Sequence, residues 1–326
     1  MAEKVAIVRL DALGDTLLST PAVDALCRQL GPDNVMVLVS PGLGSIFGSS
    51  PPSREIGPEQ SAEEIAQVID DFGAETVYVF SEKKRALRGA HLSRAGERIG
   101  FDPGWTQPLR SLEVKRYLTV RFPIVNSLDS SSRYHEVERY CRLVAKGLSK
   151  KSLNGGRLKF FGMERPAEPP RLSAPVGFQW AEKWLQGGWP EQLLLTLVDQ
   201  LPAEAKIFVS PSEESRAGKL LPECRRKNLV CKASLTDYAG EVASCSYLIS
   251  IDTGAVHVAA AMGVPVVDVF PQEGAHHTVP RWRPWMTPHR VVLKPTYEDE
   301  ESLGALVQKI AAAESDLTRI VQGLAS

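Results

Sequence analysis

No stretch of this chain is apolar for long enough to cross a bilayer. Its longest runs, such as AEKVAIVRL and VPVVDVF, fall far short of the roughly twenty residues a spanning helix needs. Excess charge of one sign is also lacking. The formal net charge is -1, so no global field argues for nucleic acid as a partner. The five cysteines (Cys27, Cys141, Cys224, Cys231, Cys245) form no CxxC pair, and their odd number argues against a disulfide framework. The start of the chain lacks the basic-then-apolar pattern of a secretory signal. A reducing, cytoplasmic setting is therefore the expectation. No cluster has metal-ligand spacing: His276 and His277 are adjacent, so their side chains are expected to point apart, and no metal or other cofactor is expected. Internal repeats and low-complexity tracts are absent as well.

What is there suits a soluble globular protein. The chain has 326 residues, 43% hydrophobic and 24% charged, which is enough for two domains of ordinary size. Apolar runs rich in β-branched residues alternate with helical patterns. KVAIVRL, NVMVLVS and ETVYVF read as buried parallel strands. PAVDALCRQLG reads as a helix with Thr20 as N-cap and Pro21 in its first turn, and RYHEVERYCRLVAKGL as a second, with Val137, Tyr140, Cys141, Val144 and Leu148 at helical spacing. From Ser149 to Pro175 periodicity fails and Gly and Pro accumulate, as in a linker with one short strand at GRLKFF. The alternation then restarts with PVGFQW, EQLLLTLVDQL, AKIFVS, NLVCK, LTDYAGEVAS, YLISI, GAVHVAAAMG and PVVDVF, and a long amphipathic helix closes the chain. Two β/α halves joined by a Pro-rich linker predict an α/β protein with two doubly wound sheets.

Two strand ends stand out. VRLDALGD places Asp11 and Asp15 around Gly14 where the first strand gives way to a loop. Such carboxylates can cap a turn, or stand as a base at the mouth of a ligand site. SIDTGAVH runs a strand into Asp252-Thr253-Gly254 and then an Ala-rich helix. Asp252 or Thr253 can cap that helix, its open first turn suits a phosphate, and His257 lies one turn further in. A plain N-cap with a surface histidine fits the same residues.

Taken together, VAIVRLDALGDTLLSTPAVDAL and SLTDYAGEVASCSYLISIDTGAVHVAAAMGVPVVDVF resemble glycosyltransferase family 9, the heptosyltransferases of the lipopolysaccharide inner core. AGERIGFD, YHEVERY, VGFQWAEKWLQGGWPE and RWRPW add matches in the right order. The resemblance implies a GT-B fold: two Rossmann-like domains facing across a cleft. Residues 1–165 would bind the acceptor and 166–300 the nucleotide sugar, with 301–326 returning as a helix to the first domain. It also implies a monomeric, metal-independent, inverting transferase of a heptose-like sugar, using an ADP-type donor and a saccharide or glycolipid acceptor. Work at the inner face of the cytoplasmic membrane would suit such an acceptor.

The residue roles follow from that resemblance. Asp15 matches the family's catalytic Asp in its Gly-Asp pair, and Asp11 is the weaker candidate. Thr253, Gly254 and His257, with Asp252, match the residues facing the donor diphosphate. Glu213 or Glu214 resembles an acidic ribose contact. Two departures are visible. Relatives carry a lysine two residues before the Trp-Pro pair, where this chain has Gly187, and Lys183 is the nearby substitute. FPQEG replaces the usual Phe-Gly-Pro, so the loop Pro271–Thr278 is expected to shape a different pocket. The segment Glu82–Arg98 carries six basic residues against two acidic, among them Lys83, Lys84, Arg85 and Arg88. It reads as a solvated face or as the grip on an acidic acceptor. Trp105, Trp282 and Trp285 are stacking candidates. A GT-B-shaped binding protein without transfer activity is the alternative. A dinucleotide oxidoreductase is disfavoured, because RLDALGD cannot form GxGxxG.

Overall fold

The structure is a computed structural model, and it describes residues 3–104, 107–123, 134–150, 153 and 155–325. Trp105 lies outside the described residues. The chain divides into two compact units, Met1–Glu164 and Arg165–Ser326.

The first unit holds strands β1 (Val5–Arg9), β2 (Val35–Val39), β3 (Ser53–Glu55), β4 (Thr76–Val79), β5 (Glu97–Asp102) and β6 (Val120–Pro123). They form one parallel sheet in the order β3-β2-β1-β4-β5-β6. Strands β1 and β2 are buried along their whole length, as expected where helices cover both faces of a parallel sheet. The second unit holds β7 (Gly177–Gln179), β8 (Lys206–Val209), β9 (Leu229–Cys231), β10 (Leu248–Ile251), β11 (Val266–Pro271) and β12 (His289–Lys294). Its parallel sheet runs β12-β11-β10-β7-β8-β9. Counted from each unit's own first strand, both orders are the doubly wound one, with a switch point beside the first strand.

Two sequence expectations need correction. The helix predicted from Thr20 begins at Leu13, and Pro21 lies inside it. Proline has no N–H for the Leu17 carbonyl, and the Thr20 hydroxyl supplies the bond at 2.6 Å, so the helix passes through. Thr20 is thus a stitch inside the helix and not its cap. GRLKFF forms no strand. Leu158 and Phe160 are buried, while the backbone of Lys159 bonds the Thr20 hydroxyl at 3.0 Å and that of Phe161 bonds the Ile46 carbonyl at 2.7 Å. The long helix Glu300–Ala325 is part of the second unit. Leu303, Leu306, Val307, Ile310 and Leu317 enter the core built on Ile249, Ile251, Val267 and Val269. Apolar area beside β11 and β12 was available to cover, and an amphipathic helix took it.

Candidate active site

In the first unit the chemistry gathers where β1 meets its helix. Arg9 ends a strand of otherwise apolar residues and is 3% exposed. Its Nη1 donates to the Phe80 carbonyl at 2.8 Å, which ties β1 to the chain leaving β4 across the switch point. The same guanidinium stands 3.1 Å from Asp11 Oδ2 and 3.2 Å from Asp15 Oδ1, and lies 4.9 Å from the centre of the Tyr140 ring. Its Nε donates to the Asp15 carbonyl at 3.2 Å. One buried cation therefore holds two carboxylates and one backbone turn.

Asp15 occupies the first turn of the helix Leu13–Leu30, where the dipole favours an anion. Burial pushes its pKa above the ordinary carboxylate value. Arg9 pulls it down, Asp11 and Glu136 push it further up, and the Ala12 N–H lowers it. The balance is a carboxylate more basic than usual, whose side chain keeps 37% of its surface exposed. That is what a proton acceptor at a ligand site requires. Asp11 pairs with Arg9 and is less exposed, at 21%. Gly14 is buried in the first turn of the helix. Sequence reasoning does not find Arg9, and it finds Tyr140 only as part of an apolar stripe. The available signal is a lone arginine closing an apolar strand.

The basic segment begins two residues beyond Phe80. Lys83 is exposed at the N-cap of the helix Lys84–Leu92. Lys84 pairs with Glu113 at 2.8 Å, Arg88 lies 3.7 Å from Glu63, and Arg85 bonds the Gly57 carbonyl. These three charges are spent largely inside the unit.

In the second unit, β7 and β10 flank the switch point, and residues just beyond each meet. Lys183, on the short 3-10 helix Glu182–Leu185, donates to the Asp252 carboxylate at 2.8 Å and also to its carbonyl. Glu213 accepts from the Glu182 N–H at 2.6 Å and from the Ser210 hydroxyl at 2.9 Å, which places it beside Lys183. Glu214 is directed to Cys231 instead. Thr253 is the N-cap of the helix Gly254–Met262, yet its side chain caps nothing: Oγ1 lies 3.2 Å from the Ser250 hydroxyl. With Asp252 held by Lys183, the first turn of this helix has no N-cap side chain on its N–H groups, the arrangement that suits an anion. His257 is 3% exposed in the second turn. The expected loop Pro271–Thr278 is mostly regular structure, because β11 runs to Pro271 and a helix starts at Ala275 after Gly274 (φ +71). Trp282 lies under Arg281, whose guanidinium is 4.1 Å from its ring centre.

A sequence profile of glycosyltransferase family 9 (heptosyltransferase) matches residues 86–306. The chain belongs to glycosyltransferase family 9. It is a glycosyltransferase. Solved structures of the same fold include a family 9 glycosyl transferase from Veillonella parvula, 17% identical over 97% of each chain with a TM-score of 0.73. Another is E. coli heptosyltransferase WaaC with ADP, 19% identical over 95% of this chain and 99% of that one, with a TM-score of 0.69. E. coli ADP-heptose lps heptosyltransferase II is 17% identical over 99% and 100%, with a TM-score of 0.67. WaaC is also solved with ADP-2-deoxy-2-fluoro heptose. A search of the curated proteins found no significant match. The GT-B architecture of this family 9 chain agrees with its two doubly wound sheets. Among the described residues no helix is long and apolar enough to cross a membrane.

Proposed function

We propose that this family 9 protein is an inverting, metal-independent transferase that moves a heptose-like sugar from an ADP-type donor to a saccharide acceptor of the lipopolysaccharide-core kind. The observation that carries the reading is Asp15: a partly exposed carboxylate, made more basic by burial and held in place by Arg9, at the C-terminal edge of a doubly wound sheet. In the reaction, Asp15 accepts the proton of the acceptor hydroxyl as that oxygen attacks the anomeric carbon. The bond between that carbon and the β-phosphate oxygen breaks, its electron pair leaves with the nucleoside diphosphate, and configuration inverts. Charge building on the leaving group falls to the N–H groups at Thr253 and Gly254 and to nearby side chains. The ADP and ADP-sugar analogue named for WaaC support the choice of donor. A saccharide or glycolipid acceptor would be met by the first unit, at the inner face of the membrane.

The test is a thermal-shift panel of ADP-, GDP-, UDP- and dTDP-sugars followed by transfer assays. ADP-sugars are expected to stabilise the protein most. Asp15→Asn is expected to cut turnover by about a hundredfold or more while donor binding persists. An unchanged rate refutes Asp15 as the base. Donor binding without any transfer by the wild type would favour a binding protein, a reading that Gly187 in place of a lysine makes concrete.

A further inference from the structure

Lys294 is the last residue of β12 and is 3% exposed. Its ammonium donates to the Gln186 carbonyl at 2.6 Å and lies 5.0 Å from the centre of the Trp189 ring. No described carboxylate pairs with it. Three other lysines of this unit do face carboxylates: Lys183 pairs with Asp252, and Lys206 and Lys232 with Glu241. Burying an ammonium without a counter-charge is unfavourable, and one carbonyl and one ring face use only part of its three-donor capacity. The lost hydration is visible as a pKa brought down to about 8.

The surroundings are built rather than incidental. Trp189 Nε1 donates to the Pro295 carbonyl at 2.8 Å, and the Tyr297 N–H donates to the Gly187 carbonyl at 2.9 Å. The turn Gln186–Gly188 is thus stitched to the chain leaving β12. Gly187 and Gly188 both have φ +81, and a Cβ on Gly188 would meet nothing within 4 Å. The ammonium therefore sits under an exposed turn that carries no side chain at either glycine, at the C-terminal edge of the sheet, where doubly wound folds bind ligands.

We infer that Lys294 is the cation that holds a phosphate oxygen of the nucleoside diphosphate donor, supplying from β12 the charge that position 187 lacks. The inference rests on the donor reading given above. A phosphate would give this ammonium its missing counter-charge, whereas Lys183 would have to abandon Asp252 to do the same work.

Calorimetry with ADP and with adenosine tests it. Lys294→Met is expected to weaken ADP binding at least tenfold and leave adenosine binding within twofold, while Lys294→Arg keeps ADP within threefold. A lysine that only staples the Gln186 carbonyl would make Lys294→Met lower the melting temperature with ADP affinity unchanged, or weaken both ligands equally. Either result overturns the inference. The wild type gives a second measurement free of folding effects. ADP, but not adenosine, is expected to slow acetylation of Lys294 at least fivefold relative to exposed Lys115, read by mass spectrometry. Equal rates with and without ADP also overturn it. A wild type that binds none of ADP, GDP, UDP or dTDP removes the donor reading and this inference together. ADP binding that Lys294→Met leaves untouched removes only the inference.

Discussion

The two sheets share a strand order but place opposite chemistry at their switch points. Between β1 and β4 a fully enclosed arginine gathers two carboxylates, and the capacity left over is that of a proton acceptor, Asp15. Beyond β7 and β10 a partly exposed lysine cancels one aspartate, and what is left over is N–H groups at a helix start and an ammonium at the sheet's far edge. Topology fixes where charged groups collect, because strand ends converge there. The side chains fix the sign. In the proposed reaction one half takes a proton and the other holds an anion, from one architecture used twice.

The comparison breaks most directly at Arg9. Arg9→Met leaves Asp11 and Asp15 facing one another without their cation and orphans the Phe80 carbonyl. The expected loss is about 3 kcal/mol in urea melts, at the low end for a buried pair because Asp15 is partly exposed. The same variant should move the acid limb of the rate profile to higher pH, since the group that lowers the Asp15 pKa is gone. A stable variant with an unmoved limb would mean that Arg9 does not govern the site. The paired carboxylates should also separate. Asp11→Asn is expected to keep turnover within about tenfold, against the hundredfold loss for Asp15→Asn. Equal losses would assign the base to neither one alone.

How far the sequence discloses this depends on the kind of interaction. Fully apolar strands such as Val35–Val39 and the Ala-rich helix Gly254–Met262 follow from pattern alone, since burial on both faces writes itself into residue type. Asp15 and the Asp252-Thr253-Gly254 turn are legible because they end such strands. Arg9 is not, because its value lies in reaching Phe80, 71 positions away, and the ring of Tyr140. Lys294 is hidden for the same reason: its partner Gln186 is 108 positions earlier. The edge strands Ser53–Glu55 and Val120–Pro123 are short and partly exposed, so they carry no run of apolar residues to betray them. The helix through Pro21 escapes because a threonine hydroxyl replaces the bond that proline forfeits.

A second asymmetry lies within β11 of the second unit. Asp268 is wholly buried, and neither of its carboxyl oxygens has a hydrogen-bond partner among the described residues. Burial foremost, with Asp252 adding to it, holds its pKa well above the ordinary value of 3.8. The folded protein therefore keeps a proton that the unfolded chain releases above about pH 4, so stability is lost as pH rises from there toward the folded pKa. Asp268→Val, which suits a buried strand position, is expected to raise stability by about 2 kcal/mol at pH 7 and to flatten its pH dependence above pH 4. Identical pH slopes for the two proteins would show that Asp268 does not hold its proton in the fold.

The smallest expected effect tests the contrast itself. Asp252→Asn removes the carboxylate that faces Lys183, the counterpart in the second unit of the Arg9 cluster. Both partners are partly exposed, 31% for Lys183 and 22% for Asp252, so solvent screens the pair. Lys183 also keeps its bond to the Asp252 backbone carbonyl, which the substitution leaves in place. The expected cost is about 0.5–1 kcal/mol, well below that of Arg9→Met, and melting temperatures of the two variants measured side by side would resolve the difference. The order matters more than either value. A buried cation with two carboxylates is a permanent part of the first unit's framework, because nothing replaces it when it is removed. The Lys183–Asp252 pair is screened by solvent and is expected to contribute less. If Asp252→Asn costs as much as Arg9→Met, the second cluster is framework too.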